Sequence, residues 1–351
     1  MEAPVPVHLA DESSLPGSFP ENPVLCRLWR GGWVESQHRG SWARVDASGA
    51  VLEGAGDHEQ PVFARSAIKC LQALPLLESG AAERAAYDEA DLALALSSHN
   101  AEAQHTERVS AILARLGLGA SDLGCGPQPP GDPEARKELR ARGGAPSALM
   151  NNCSGKHAGF LALAQELDQD PATYLEAEGA VQRAVREAVG AMCDLEPGAL
   201  EYAIDGCSAP TWRLSPRAMA TAMARVGEPS GLSAPRAEAC RRMTRAVALH
   251  PALIAGEYKR LCTALVRASE GRLFPKIGAE AVYVIAHVGT GEGLALKIDD
   301  GSQRALHATV IGLLRRLGWL DAAAADSLER FAESTLTNWA GLEVGRTEVL
   351  A

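Results

Sequence analysis

ARSAIKCLQAL, residues 64–74, decides how the rest of the chain is read. Ser66 and Lys69 stand three positions apart, and Ile68, Leu71 and Leu74 give the run the apolar spacing of a buried helix. Residues three apart share a helix face, so the Lys69 amine lies within reach of the Ser66 hydroxyl. Serine is a poor nucleophile at its own pKa. Lysine serves as its base only where burial or a neighbouring cation lowers the ammonium pKa toward neutrality. The apolar neighbours suit such burial. The plainer alternative is an ordinary core helix, since 22 serines and six lysines make about 0.4 Ser-x-x-Lys pairs expected by chance.

Two further triplets weigh against chance. Ser98-His99-Asn100 has the form Ser-x-Asn, and Lys276 in FPKIGAE heads a Lys-x-Gly at the edge of a strand-like run. The order Ser-x-x-Lys, Ser-x-Asn, Lys-x-Gly resembles that of penicillin-interacting serine enzymes. The hydroxyl residue that follows the last lysine in that pattern is replaced here by Ile277.

Composition narrows the partners. The 351 residues are 46% apolar and 22% charged, ordinary for a globular protein with a large core. A net charge of −10 and no clustered Lys/Arg run argue against nucleic acid. No window nears the roughly 18 apolar residues of a membrane span, and MEAPVPVHLADESSLPG lacks the basic start and apolar stretch of an export signal. A cytoplasmic protein acting on a small molecule is expected. Its eight cysteines are then thiols or metal ligands rather than a disulfide frame.

Periodicity sets the architecture. Residues 1–22 read as a loose leader, and 23–351 as one catalytic unit. Short β-type runs broken by Gly and by Asp-Ala-Ser-Gly open it, over about 23–60. Helical patterns fill about 64–270, interrupted at 119–148 by a Pro/Gly-rich connection of the length that loops reserve for function or motion. AEAVYVIAHVGTGEGLALKIDDGS then predicts a second hairpin, at about 280–300, that joins the first in one sheet. The expectation is an α/β (α+β layered) fold, its antiparallel sheet built from both chain ends around an inserted helical lobe.

A second constellation lies in ALMNNCSGKHAGFLALA (148–164) and YAIDGCSAPTW (202–212). Two thiols and a nitrogen among Cys153, Lys156, His157, Asp205 and Cys207 suit zinc, with His157 the first choice for the nitrogen. Equally, Cys153 and Cys207 read as buried structural thiols, with Asn151 or Ser154 capping a helix that starts near 155. The His99, Glu102, His105 spacing resembles a metal motif, but on a helix the two rings diverge. His250 ends a helix before Pro251, and Trp212 walls a pocket or fills the core.

Taken together, RSAIKCLQALPLL, SSHNAEAQHT, NNCSGKHAGFLALA, DGCSAPTW, HPALIAGEYKRLCTAL and FPKIGAEAVYVIA resemble the rhizobial-type L-asparaginase (asparaginase II) family over roughly residues 22–340. That resemblance implies a serine β-lactamase/glutaminase-like fold and hydrolysis of the L-asparagine side-chain amide. It implies two Ser-Lys tandems, Ser66 with Lys69 and Ser98 with Lys276, and zinc on Cys153, Lys156 and Cys207, which moves His157 behind the ligands. A homodimer is implied as well. Ala101 and Ala281 stand where the family pattern has glycine. For the substrate's own charges, Arg65 is the candidate for the α-carboxylate and Asp205 for the α-ammonium, with His99 beside them; Arg65 fits a structural salt bridge equally well. Two other classes remain open, a zinc-centred amidase and a ligand-binding protein on the same scaffold.

Overall fold

The computed structural model describes residues 21–351, so all but the last two residues of the expected leader lie outside the described residues. Asn22 is already part of the body: its Nδ2 donates to Asp299 at 3.1 Å and its Oδ1 accepts from Asp57 N–H at 2.7 Å.

The N-terminal runs form β1 (Val24–Arg30), β2 (Trp33–Asp46) and β3 (Val51–Ala55). The Asp46-Ala47-Ser48-Gly49 corner closes as predicted: Asp46 Oδ1 accepts the Ser48 and Ala50 N–H groups, and Gly49 supplies a φ of +85°. Next come β4 (Val62–Phe63), β5 (Tyr202–Ile204) and β6 (Pro210–Leu214), which make a small sheet of order β4-β6-β5. The C-terminal third adds β7 (Leu273–Gly278), β8 (Val282–His287), β9 (Glu292–Ile298), β10 (Thr335–Thr337) and β11 (Glu343–Val349).

The large sheet runs β10-β11-β1-β2-β9-β8-β7, with β3 also on β2. Its pairs are antiparallel, and the two terminal hairpins meet at β2 and β9, in register from Gly40 opposite Ile298 to Asp46 opposite Glu292. This is the joined sheet that the sequence predicts, wider by three strands. Lys276 lies within β7 rather than ahead of the first C-terminal strand, and β10 and β11 extend the sheet beyond β1. Five successive residues of β8 are buried, so both its faces are covered. Helix Pro216–Gly227 presses on β9 so closely that a Cβ at Gly293 would stand 2.0 Å from Ala220 O.

Between the strands lie the helices Lys69–Glu78, Ala103–Arg115, Ser154–Glu166, Ala180–Cys193, Ala234–Leu249 and Leu261–Ala268. His250 follows one of them at its C-cap, and Trp212, 1% exposed, is core. The connection at 119–148 is not merely loop. Asp132 and Pro133 start a helix, Pro133–Ala141, with Asp132 Oδ1 capping Ala135 N–H at 2.8 Å.

Two glycines bring the functional segments together. A Cβ at Gly278 on β7 would lie 2.8 Å from Ala64 O, and one at Gly155 would lie 2.3 Å from Leu94 O. Any side chain there would push apart the Ser66 turn and the sheet edge, or the Cys153 helix and the segment leading to Ser98.

Candidate active site

Arg65–Ile68 form one tight helical turn ahead of helix Lys69–Glu78. Arg65 takes a left-handed φ of +51°, which costs a residue with a Cβ about 1–2 kcal/mol. It is held there by its N–H on Thr211 Oγ1 at 3.1 Å and its Nε on Asp205 Oδ1 at 2.7 Å. Backbone strain of this kind gathers at functional sites.

Lys69 is fully buried in the first turn of its helix, and its amine donates to Ser98 Oγ at 3.2 Å, to Asn152 O at 3.5 Å and to Ser97 O. From β7, Lys276 donates to the same Ser98 Oγ at 2.8 Å and to Ile277 O at 2.8 Å. Two amines thus converge on one hydroxyl. The sequence reading paired Lys69 with Ser66; here the hydrogen bond of Lys69 is to Ser98, and none to Ser66 Oγ is present among the described residues. The reason is the tight turn at 65–68, which sets Ser66 on the wall of the cleft while the helix carries Lys69 inward.

Burial lowers both amines. Lys276 is pushed down to about 7, by burial first and then by Lys69. Lys69 is lowered by burial, with Lys156 adding to the effect and Cys153 opposing it.

Ser66, only partly buried, lines two adjoining hollows. One, about 250 Å³, also touches Arg65, Asp205, Cys153 and Cys207; the other, about 180 Å³, touches Ser98, Arg260 and His307. They share Ser66, Asn152 and Ala279 alone. A larger hollow of about 700 Å³ lies elsewhere, beside Arg108, Arg115 and His250, and carries no serine or cysteine. Size therefore does not mark the chemistry here; the Ser-Lys cluster does.

Arg65 and Asp205, assigned to opposite ends of a substrate, form an ion pair with each other. His99 is not turned to either hollow. Its Nδ1 accepts from Ala101 N–H at 3.1 Å, which leaves Nε2 as donor to Ser154 Oγ at 2.9 Å, so the buried ring is neutral and has no free nitrogen for a substrate. It stacks on His105 at 4.8 Å, an arrangement that the helical reading missed because residues 97–102 precede the helix rather than belong to it.

Cys153, at the helix N-cap, Lys156 one turn on, and Cys207, in the β5–β6 turn, are buried together. Lys156 Nζ donates to Cys207 Sγ at 3.1 Å. A hydrogen bond from Cys207, assisted by Lys69 and Lys156, holds the Cys153 thiol well below its usual range. Burial works against the Lys156 charge, but Cys207 and Cys153 outweigh it and raise the amine. No trio of His, Cys, Asp and Glu able to hold a metal occurs among the described residues. A zinc site here therefore depends on the lysine amine as its third donor. His157 Nδ1 is 2.6 Å from Tyr174 OH, and its Nε2 is buried without a hydrogen-bond partner among the described residues. Neither Asn151 nor Ser154 caps the helix; Asn151 Oδ1 instead accepts from Cys153 N–H at 2.9 Å.

With this cluster in view the comparison with known proteins is direct. The family model described as L-asparaginase II matches residues 26–349. The chain belongs to the L-asparaginase II family. As a member of it, this chain is an amidohydrolase of the asparagine type in general terms. No curated protein matches it. Among solved structures it is similar to a beta-lactamase from Mycobacterium bovis, with 15% identity, 79% of this chain and 94% of that one covered, and a TM-score of 0.39, too low to carry a conclusion. No helix among the described residues is long and apolar enough to cross a membrane.

Several site residues of this asparaginase II chain were not singled out from sequence. Asn152 sits on the shared rim with its N–H on Gln128 Oε1 at 3.0 Å, and Gln128 comes from the Pro/Gly-rich connection. Ala279 follows the Lys-x-Gly triplet. Arg260, in the HPALIAGEYKRLCTAL block, grips Ser98 O at 2.6 Å. Only the position of Ala279, directly after a recognised motif, was a usable signal.

Proposed function

We propose that the protein hydrolyses the side-chain amide of L-asparagine to L-aspartate and ammonia, with Ser66 as nucleophile and an acyl-enzyme ester between the two steps. The observation that carries this is the convergence of Lys69 and Lys276 on Ser98 Oγ beside the cleft where Ser66 is accessible.

Two ammonium ions facing one hydroxyl repel, so at least one amine is neutral near pH 7. Neutral Lys69, one helical turn from Ser66, takes the Ser66 proton as the oxygen attacks the amide carbon. Its hydrogen bond then passes from Ser98 to Ser66, a tightening that substrate binding commonly brings about. Ser98, held between the amines, returns a proton to the departing nitrogen. Water then cleaves the ester by the reverse path. The Ser66 and Ala279 N–H groups donate to nothing else among the described residues and border the cleft, which suits them to an oxyanion; such donors are worth about 2.7–4 kcal/mol each. The Arg65–Asp205 pair offers a guanidinium to the α-carboxylate and a carboxylate to the α-ammonium of one zwitterion.

The two thiols and the amine of Cys153, Cys207 and Lys156 fit one zinc ion, which would supply positive charge to fix the substrate. Lys156 would give up its proton there. A homodimer in the cytoplasm belongs to the same reading.

Ammonia release from L-asparagine by the purified chain, run beside Ser66→Ala and Lys69→Met, tests it. Turnover by the unaltered protein that both substitutions abolish is expected; full activity in Ser66→Ala would sink the mechanism.

A further inference from the structure

Ammonia is about as large as water, yet the hollow on one side of Ser66 is far larger. It encloses about 180 Å³, against roughly 30 Å³ for a water in the liquid. It shares only Ser66, Asn152 and Ala279 with the hollow of the Arg65–Asp205 pair, so the two are separate spaces that meet at the nucleophile. If the amino-acid end lies with Arg65 and Asp205, the other side receives what leaves.

The charge of that side is one-sided. Lys259 and Arg260 line it, and no Asp or Glu does. Arg260 spends Nη2 on Ser98 O at 2.6 Å and Nη1 on Asn100 Oδ1 at 3.1 Å, both neutral acceptors, and its remaining N–H groups keep their donor capacity for an anion. Lys259 is held at a φ of +52°, a conformation that an L residue adopts only at a cost. A departing ammonia has no use for two cations; a carboxylate does.

We propose that this hollow takes the leaving half of a secondary side-chain amide, and that the chain cleaves β-aspartyl amino acids, in which the amide nitrogen bears a small amino acid with a free carboxylate. The inference rests on the reading of Ser66 above. Ser66 Oγ bonds to the β-carbonyl carbon as its proton passes to Lys69. The C–N bond breaks, and the amine nitrogen takes a proton through Ser98. Water then adds to the ester, releasing L-aspartate and the second amino acid, so no oxidant or co-reactant beyond water is needed.

The test compares three substrates on one preparation: L-asparagine, L-β-aspartylglycine and L-β-aspartylglycinamide, the last lacking the carboxylate. Glycine release is expected, with kcat/KM at least tenfold above that for the glycinamide. Arg260→Gln and Lys259→Met should each cut that preference to under threefold, and a ratio taken on one sample does not change with the fraction folded. Hydrolysis of L-asparagine without glycine release overturns the inference and leaves the asparaginase reading standing. Failure on all three substrates overturns that reading too. Equal cleavage of the glycine and glycinamide compounds, or a preference undiminished in both variants, removes the carboxylate from the hollow.

Discussion

Lys276 Nζ donates to Ser98 Oγ at 2.8 Å, joining residues 178 apart in sequence across the edge of the sheet. Burial, aided by Lys69, brings this amine to about 7. Burial lowers Lys69 as well, and Lys69 is the base of the proposed mechanism, so the rate of asparagine hydrolysis should climb with pH as Lys69 becomes neutral, which a kcat/KM profile from pH 5 to 9 would show. Stability follows the same sign. Unfolded lysine holds its proton to about 10.4, so between 7 and 10.4 the unfolded state binds more protons and stability rises with pH. Lys276→Met should reduce that rise, leaving the part due to Lys69; an unchanged unfolding profile would mean that the Lys276 amine is charged throughout.

Ser66 and Ser98 should separate cleanly. Ser98 is 6% exposed and lies between two amines, whereas Ser66 faces both hollows. Ser66→Ala is expected to cost at least about 10³ in kcat by removing the nucleophile, and Ser98→Ala about 10²–10⁴, the range of a lost proton relay. Mass spectrometry of acid-quenched enzyme should place the acyl adduct on Ser66. An adduct on Ser98 would reverse the two roles.

The Ser-x-x-Lys, Ser-x-Asn and Lys-x-Gly motifs named four residues that the fold brings to one cleft, because each motif is a short local pattern that can be read without knowing its element. The pairing within the cluster was not legible. Helix periodicity put Lys69 on Ser66, but a tight turn starting at a left-handed Arg65 intervenes, and no propensity signals that conformation for arginine. The same limit hid β11, whose polar Gly-Arg-Thr-Glu centre lacks strand alternation and is held by pairing with β1. Arg260 and Asn152 reach the cleft only through contacts distant in sequence, which no local pattern encodes.

Ala101 and Ala281 both adopt left-handed φ, +61° and +55°. The conformation costs alanine about 1–2 kcal/mol, while glycine gives back about 0.5–1 in chain entropy. Ala101→Gly and Ala281→Gly should therefore not lower stability, and a gain of up to about 1 kcal/mol is expected in urea melts. A loss of about 1 kcal/mol, as at an ordinary buried helix position, would show that the buried methyl groups outweigh the backbone.

The ion pair of Arg65 and Asp205 spans 2.7 Å, with Asp205 the more deeply buried partner. Removing the Asp205 charge frees Arg65 and, on the proposed reading, leaves the substrate ammonium without its partner. Asp205→Asn should raise KM for L-asparagine at least tenfold with a smaller change in kcat, since the contact serves ground state and transition state alike. A loss confined to kcat would place the pair at the reacting bond instead.

Zinc makes the last prediction, and metal content reads it without reference to activity. Cys153, Lys156 and Cys207 approach from a helix N-terminus and a hairpin turn, so an ion held by all three would tie these elements together. Protein purified with zinc in the medium should hold about one ion per chain and lose thermal stability on exhaustive chelation, because a ligand bound only by the folded state stabilises it. Lys156→Ala should abolish most of the zinc, and Cys207→Ser should do the same. His157→Ala should retain it if Cys153, Lys156 and Cys207 are the ligands, and loss of the zinc there would make His157 Nε2, unpartnered among the described residues, the nitrogen donor. Full zinc in Lys156→Ala would rule the amine out as a ligand, and a metal-free unaltered chain would leave the cluster as a buried lysine–thiol pair.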